Sequence, residues 1–101
     1  MDLVNAISKA RFSAAKAQRV QLQKAGSLVT DLLCLEPGQQ LQVAKGRWVY
    51  YVMTGAATLT GGAGRQSLPT GHLAATDAGE QHLIVNCGEQ RLVCLAVGLS
   101  S

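Results

Sequence analysis

The chain is poor in the residues that advertise a chemistry. It holds two histidines, His72 and His82, and six acids among 101 residues. That leaves little material for a carboxylate pair or a histidine-rich metal centre. No Ser-His-Asp order, nucleophile elbow or phosphate-binding glycine loop is present. Only 15% of residues are charged while 48% are hydrophobic, which excludes a disordered chain. Aromatics are confined to Phe12, Trp48, Tyr50 and Tyr51, so any core is built mainly of Leu, Val and Ala. No apolar run approaches the roughly 18 residues of a membrane span, and no apolar stretch precedes a cleavage site. A soluble, cytoplasmic protein without membrane contact is therefore expected.

Cysteine is also scarce. Cys34, Cys87 and Cys94 form no Cys-x-x-Cys pair and sit in or beside apolar runs. An odd number at irregular spacing points to free thiols used as small core residues, in a reducing compartment. The net charge is +3, with Lys9, Arg11, Lys16, Arg19 and Lys24 gathered near the start. Phe12 alone does not supply the aromatic readers a nucleic-acid surface needs, so a solvated segment is expected and no nucleic-acid partner.

What is present is a strand pattern. Residues 1–18 are Ala- and Lys-rich, lack glycine and proline, and place Leu3 and Ile7 at helical spacing. They predict a short N-terminal helix packed on the outside of the rest, with Ser13 as a cap for a further turn. From residue 19 the period changes. "RVQLQ" and "QLQVA" alternate apolar and polar residues, and "SLVTDLLCLE", "WVYYVMT", "AATLT", "RQSL", "HLAAT", "QHLIVN" and "QRLVCLAVG" are β-compatible. Short turns such as "PGQ", "GGAG", "PTG" and "DAG" separate them. About nine or ten short strands with tight turns indicate an all-β barrel over residues 19–101.

Two stretches carry a family resemblance. "GHLAATDAGEQHLIVN" places Gly71, Gly79, His82 and Asn86 at the spacing of the second cupin motif, with Asp77 where proline is usual. The first motif survives as its bounding glycines, Gly38 and Gly55. Its two histidine positions hold Ala44 and Gly46, and its glutamate position holds Trp48. "ARFSAAKAQ", "CLEPGQ" and "VYYVMTG" are similar to segments of small single-domain bacterial cupins, so the resemblance runs from about residue 10 to residue 98. It implies an RmlC-like double-stranded β-helix, a jelly-roll barrel.

In that family the motif residues bind a metal. A site of that kind needs three or four converging donors. Ala44 and Gly46 have none, and Trp48 offers only an N–H. His82 is the sole ligand type left, so no metal and no cofactor are expected. Trp48 is expected to fill the vacated volume, because interiors tolerate few voids. Lys45-Gly46 reads as a hairpin turn pairing Val43-Ala44 onto Arg47-Trp48. Trp48 and Tyr50 share a strand face, and an inward Tyr50 near His82 makes an aromatic pocket. Gln42 is a further candidate lining residue, whereas His72 reads as surface. Asp31, Glu36, Asp77, Glu80 and Glu89 are assigned to strand ends or turns.

The reading is a metal-free cupin that binds a small apolar or aromatic molecule through Trp48, Tyr50, His82 and Gln42. One alternative is a metal-dependent dioxygenase or isomerase with unusual ligands. The other is an interaction module. A homodimer is expected under each, and the apolar strand region "QLQKAGSLVTDLLCL" is one that could exchange or pair between subunits.

Overall fold

The computed structural model describes residues 1–43, 46–62, 64–77 and 81–99. Nine strands follow a 3₁₀ turn at Ile7–Lys9. They are β1 (Gln18–Ala25), β2 (Leu28–Leu35), β3 (Gln40–Val43), β4 (Arg47–Thr54), β5 (Ala57–Gly61), β6 (Gly64–Leu68), β7 (Leu73–Thr76), β8 (His82–Val85) and β9 (Leu92–Leu99). Each strand expected from alternation is present. Gly38, Gly55 and Gly71 turn the chain at φ of 86°, 79° and 82°, a region that favours glycine.

The strands form two antiparallel sheets, ordered β1-β2-β9-β4-β7 and β3-β8-β5-β6. Their inner faces meet in one core of Leu33, Leu35, Val43, Trp48, Tyr50, Val52, Leu59, Leu68, Ile84, Leu92 and Cys94. Alternation explains the membership. In β4, Trp48, Tyr50 and Val52 are buried, while Arg47, Val49 and Tyr51 point outward. β2 is buried on both faces from Asp31 to Leu35, because a second cluster covers its outer side. There Leu32, Cys34 and Val93 pack with Ala10, Phe12, Val20, Leu22, Met53 and Leu95.

The N-terminal segment does lie on the outside of the barrel, but as extended chain with a single 3₁₀ turn. The Ser13 hydroxyl accepts the Ala15 N–H at 3.2 Å, a local turn in place of a helix cap. Long-range contacts hold the segment down. Gln39 Nε2 donates to the Ser13 carbonyl at 2.7 Å, and the Arg91 guanidinium lies 4.6 Å from the Phe12 ring. Each such contact requires a chain laid flat along the sheet, and the thin apolar stripe offers a helix nothing comparable.

The hairpin expected at residues 43–48 does not form. β3 pairs with β8, Val43 lying opposite His82, whereas β4 pairs with β7 and β9. The chain therefore crosses from one sheet to the other between Val43 and Arg47; Ala44 and Lys45 lie outside the described residues. The two sheets bury their apolar faces against each other, and that long-range gain outweighs a local two-residue turn.

Candidate functional site

Three of the four expected site residues converge inside the barrel. Tyr50 comes from the middle of β4, flanked in register by Ala96 and Ala74. Those small neighbours leave room for the phenol ring, which is fully buried. His82 opens β8 and is 5% exposed. Tyr50 Oη and His82 Nε2 share a hydrogen bond of 2.7 Å, and the rings meet edge to face at 5.4 Å. Burial pushes the Tyr50 phenol well above its ordinary range, with a smaller opposing pull from Arg19, so the side chain stays a protonated phenol.

Trp48 completes the plug. Its ring stacks with Tyr50 at 6.4 Å and 17°. It lies over Gly98 of β9, where a Cβ would come within 2.5 Å of Cε3. A Cβ on Gly46 would sit 3.3 Å from Trp48 Nε1. The indole thus occupies the space beside the position where the family motif has its second histidine. The core-filling role expected of Trp48 matches this packing.

Gln42 does not reach the interior. It is exposed on β3, between the inward Leu41 and Val43. Its alternation with two aliphatic residues sends the amide to solvent once β3 faces the core with its apolar side. His72 is exposed, as expected, and its Nδ1–H donates to the Thr70 carbonyl at 3.2 Å. Asn86 is structural. Its Nδ2 donates to the carbonyls of Leu35 at 3.0 Å and Gln90 at 2.8 Å, and its Oδ1 accepts the Gly88 N–H. Cys34 and Cys94 are buried, and burial pushes the Cys94 thiol up to about 12, an unreactive state. Cys87 is exposed, because it falls in the turn just past β8.

Asp31 corrects a further expectation. It is central in β2, not at its end, and is 4% exposed. Arg19 from β1 pairs with it, Nε to Oδ2 at 3.4 Å, and the same guanidinium lies 5.5 Å from the Trp48 ring. Asp31 Oδ1, Trp48 Nε1 and Thr76 Oγ1 are buried without a hydrogen-bond partner among the described residues. The signal was in the sequence: a lone acid inside the apolar run "LVTDLLCL" is an inward side chain needing a cation.

Desolvation raises the Asp31 pKa, and Arg19 only partly opposes it. An acid whose folded pKa exceeds its unfolded value contributes most below the unfolded value, and that contribution is lost as pH rises through the folded value. The protein should therefore lose stability from this group as pH climbs from 3.8. In Asp31→Asn the loss should vanish, so the melting temperature of the variant relative to the parent should rise between about pH 4 and pH 7. A difference that stays flat across that range would refute the assignment.

The donor set does not fit a metal. Of the family ligand positions, Gly46 and Trp48 bear no ligating atom, and His82 Nε2 is engaged by Tyr50. Among the described residues no group of three or more His, Cys, Asp or Glu is placed to hold a metal ion.

A cleft of about 420 Å³ opens beside this plug, where the edge strands β6 and β7 face each other. Leu59, Leu68 and Ala74 form its apolar wall, and Gln66, Thr76 and His82 bring polar groups; Arg65 also borders it, but it pairs with Thr60 and so stands on the other face of β6. It is within the size range of small-molecule pockets. Arg65, Gln66 and Thr76 were not singled out by motif, since they come together only where the two sheet edges meet.

Two packed antiparallel sheets of five and four strands, with a buried cluster between them, define a small double-stranded β-helix. This is the cupin fold, and solved structures agree along nearly the whole chain. A Thermus thermophilus protein is similar with a TM-score of 0.90 and 24% identity, covering 98% of this chain and 97% of that one. A Klebsiella pneumoniae protein described by its double-stranded β-helix domain reaches a TM-score of 0.86 at 22% identity, covering 96% and 83%. A cupin superfamily protein from Desulfitobacterium hafniense gives 0.80 at 18% identity, covering 100% and 92%. No protein-family model and no curated protein matches the sequence.

Proposed function

We propose that this cupin barrel works without a metal and binds a small apolar or aromatic molecule in the cleft between β6 and β7. One observation carries the reading. The interior that could house a metal is filled by Trp48 and Tyr50, yet about 420 Å³ stays open beside His82, whose Nε2 is tied to Tyr50. The site then binds through shape and hydrogen bonds rather than through a Lewis acid. No described group is arranged as a nucleophile with its base, so binding is favoured over catalysis.

Metal analysis by mass spectrometry, on tag-free protein purified without chelators, is the direct test. The expected result is below about 0.1 metal per chain. A stoichiometric first-row metal would bring a metal-dependent enzyme to the front, and His82→Ala would then be expected to release it.

The partner expected under this reading is a second copy. Leu28, Val49, Tyr51, Leu73 and Leu99 are large, exposed and apolar, and the register puts all five on the outer face of β2-β9-β4-β7. The N-terminal segment covers only the neighbouring part of that face. An exposed apolar face of this kind suits a two-fold dimer better than exchange or edge pairing of the region around β1 and β2. Sedimentation at micromolar concentration should show a dimer, and Tyr51→Asp should shift it to monomer. A monomeric parent protein would remove the proposal.

A further inference from the structure

We infer that the ligand of the β6–β7 cleft is an uncharged aromatic molecule with a planar amide edge, recognised by the side-chain amide of Gln66. The inference rests on the pocket reading above and adds to it the chemistry of the ligand's polar group.

The register puts Gln66 on the cleft side of β6. It lies directly opposite Leu59 of β5 and two positions before Leu68, both core residues. Residues paired directly across two strands, and residues two apart along one, share a face. Leu41, Ile84, Leu59 and Gln66 thus stand in one row across β3, β8, β5 and β6, and the row ends in an amide where the others are aliphatic. Gln66 is on the inner face and yet exposed, because β6 is the edge of its sheet and the cleft opens in front of it. Its amide forms no hydrogen bond with a described residue.

The other polar side chains of the lining are engaged or turned away. Arg65 pairs with Thr60 and faces the other side of β6. His82 Nε2 is held by Tyr50. Thr76 faces inward opposite Trp48, but its hydroxyl oxygen is closed off from solvent. His72 lies in the turn before β7, with its Nδ1–H on the Thr70 carbonyl. Among the described lining residues, Gln66 is therefore the polar side chain of the inner wall that a ligand can reach.

There is room beside it. The neighbouring row is Gly64, Gly61 and His82, and a Cβ on Gly64 would meet nothing within 4 Å. A flat ring against Leu59, Leu68 and Ala74 would bring its polar edge to Gln66, over the gap at Gly64. A glutamine amide both donates and accepts. The group that matches both at once is another amide, giving one N–H to Oε1 and accepting one from Nε2. A ligand with a net charge would find no Lys, Arg, Asp or Glu on the inward side of the described lining.

The test compares benzamide with acetophenone, which keeps the ring and carbonyl but lacks the N–H, and with benzoate, which is charged. NMR titrations of the full chain follow the side-chain NH₂ of Gln66 and the backbone amides of Leu59, Leu68 and Ala74. Benzamide should bind about fivefold more tightly than acetophenone, the worth of one net hydrogen bond, and more tightly than benzoate. Gln66→Leu should erase the benzamide preference with little change in melting temperature, since the side chain is exposed. Gln66→Glu replaces the amide by an acceptor-only carboxylate and should make the cationic benzamidine the preferred ligand. Equal affinities for benzamide and acetophenone in the parent protein, or tighter binding of benzoate, would overturn the amide assignment and leave the pocket reading standing. A benzamide preference that survives Gln66→Leu, or a Gln66→Glu protein indifferent to benzamidine, would overturn the role of Gln66. No movement of the cleft amides by any of these compounds up to about 10 mM would overturn both readings together.

Discussion

Gly98→Ala is expected to destabilise the barrel by about 3 kcal/mol or more, the upper range for overpacking a filled core. Gly98 lies in β9, between β2 and β4, and its vacant side faces the barrel interior. An added Cβ would come within 2.5 and 2.6 Å of Trp48 Cε3 and Cδ2, and within 2.8 Å of the Arg47 carbonyl oxygen. Moving the indole cannot relieve the last contact, because it is with backbone. The ring is also confined, with Gly46 against its Nε1 edge and Tyr50 stacked beside it. Trp48→Leu in the same chain should recover part of the loss, since the two ring contacts disappear. Gly62→Ala is the control, because nothing lies within 4 Å of a Cβ there. Urea unfolding of the four proteins gives the comparison. If Gly98→Ala costs no more than Gly62→Ala, Trp48 does not pack on Gly98 as described.

The second large effect is at Tyr50. Tyr50→Ala should cost about 3–5 kcal/mol, as removal of a buried aromatic ring leaves a cavity that the strands cannot close. Tyr50→Phe keeps the ring and loses only the hydroxyl. It should cost about 1–3 kcal/mol, because His82 Nε2 is then buried without the phenol that holds it at 2.7 Å. The ordering carries the argument. Equal losses in the two variants would mean the hydrogen bond, and not the ring, dominates. No loss in Tyr50→Phe would mean that His82 finds another partner, and the plug would not be a coupled unit. Stability of both variants is measurable by the same urea titration.

Strand positions were legible because their signal is local. Alternation in "RVQLQ", "QLQVA" and "WVYYVMT" and the glycine turns between strands need no knowledge of partners. The inward placement of Trp48 and Tyr50 follows from the same alternation. The N-terminal segment misled because the helix propensity of Ala and Lys yields to tertiary contacts, and its real partners, Gln39 and Arg91, lie far along the chain. Gln42 misled for a different reason. It was a candidate as a spare polar side chain, but its own alternation with Leu41 and Val43 pointed it outward. Asp31 was visible as an acid in an apolar run, yet its burial only becomes intelligible with Arg19 across the β1–β2 pair.

By itself the sequence determined that this is a small all-β barrel, that Gly38, Gly55 and Gly71 turn it, and that the donor atoms of a cupin metal motif are missing at positions 44, 46 and 48. Those properties depend on residue identity and on spacing of a few residues. The tertiary structure alone decided that β3 seeks β8 instead of β4, that Trp48 lies on Gly98, and that Gln66, Thr76 and His82 border one cleft. Each of these joins residues distant in the chain. They are set by which sheet faces bury each other and by where two strand edges are left facing, and local periodicity contains neither.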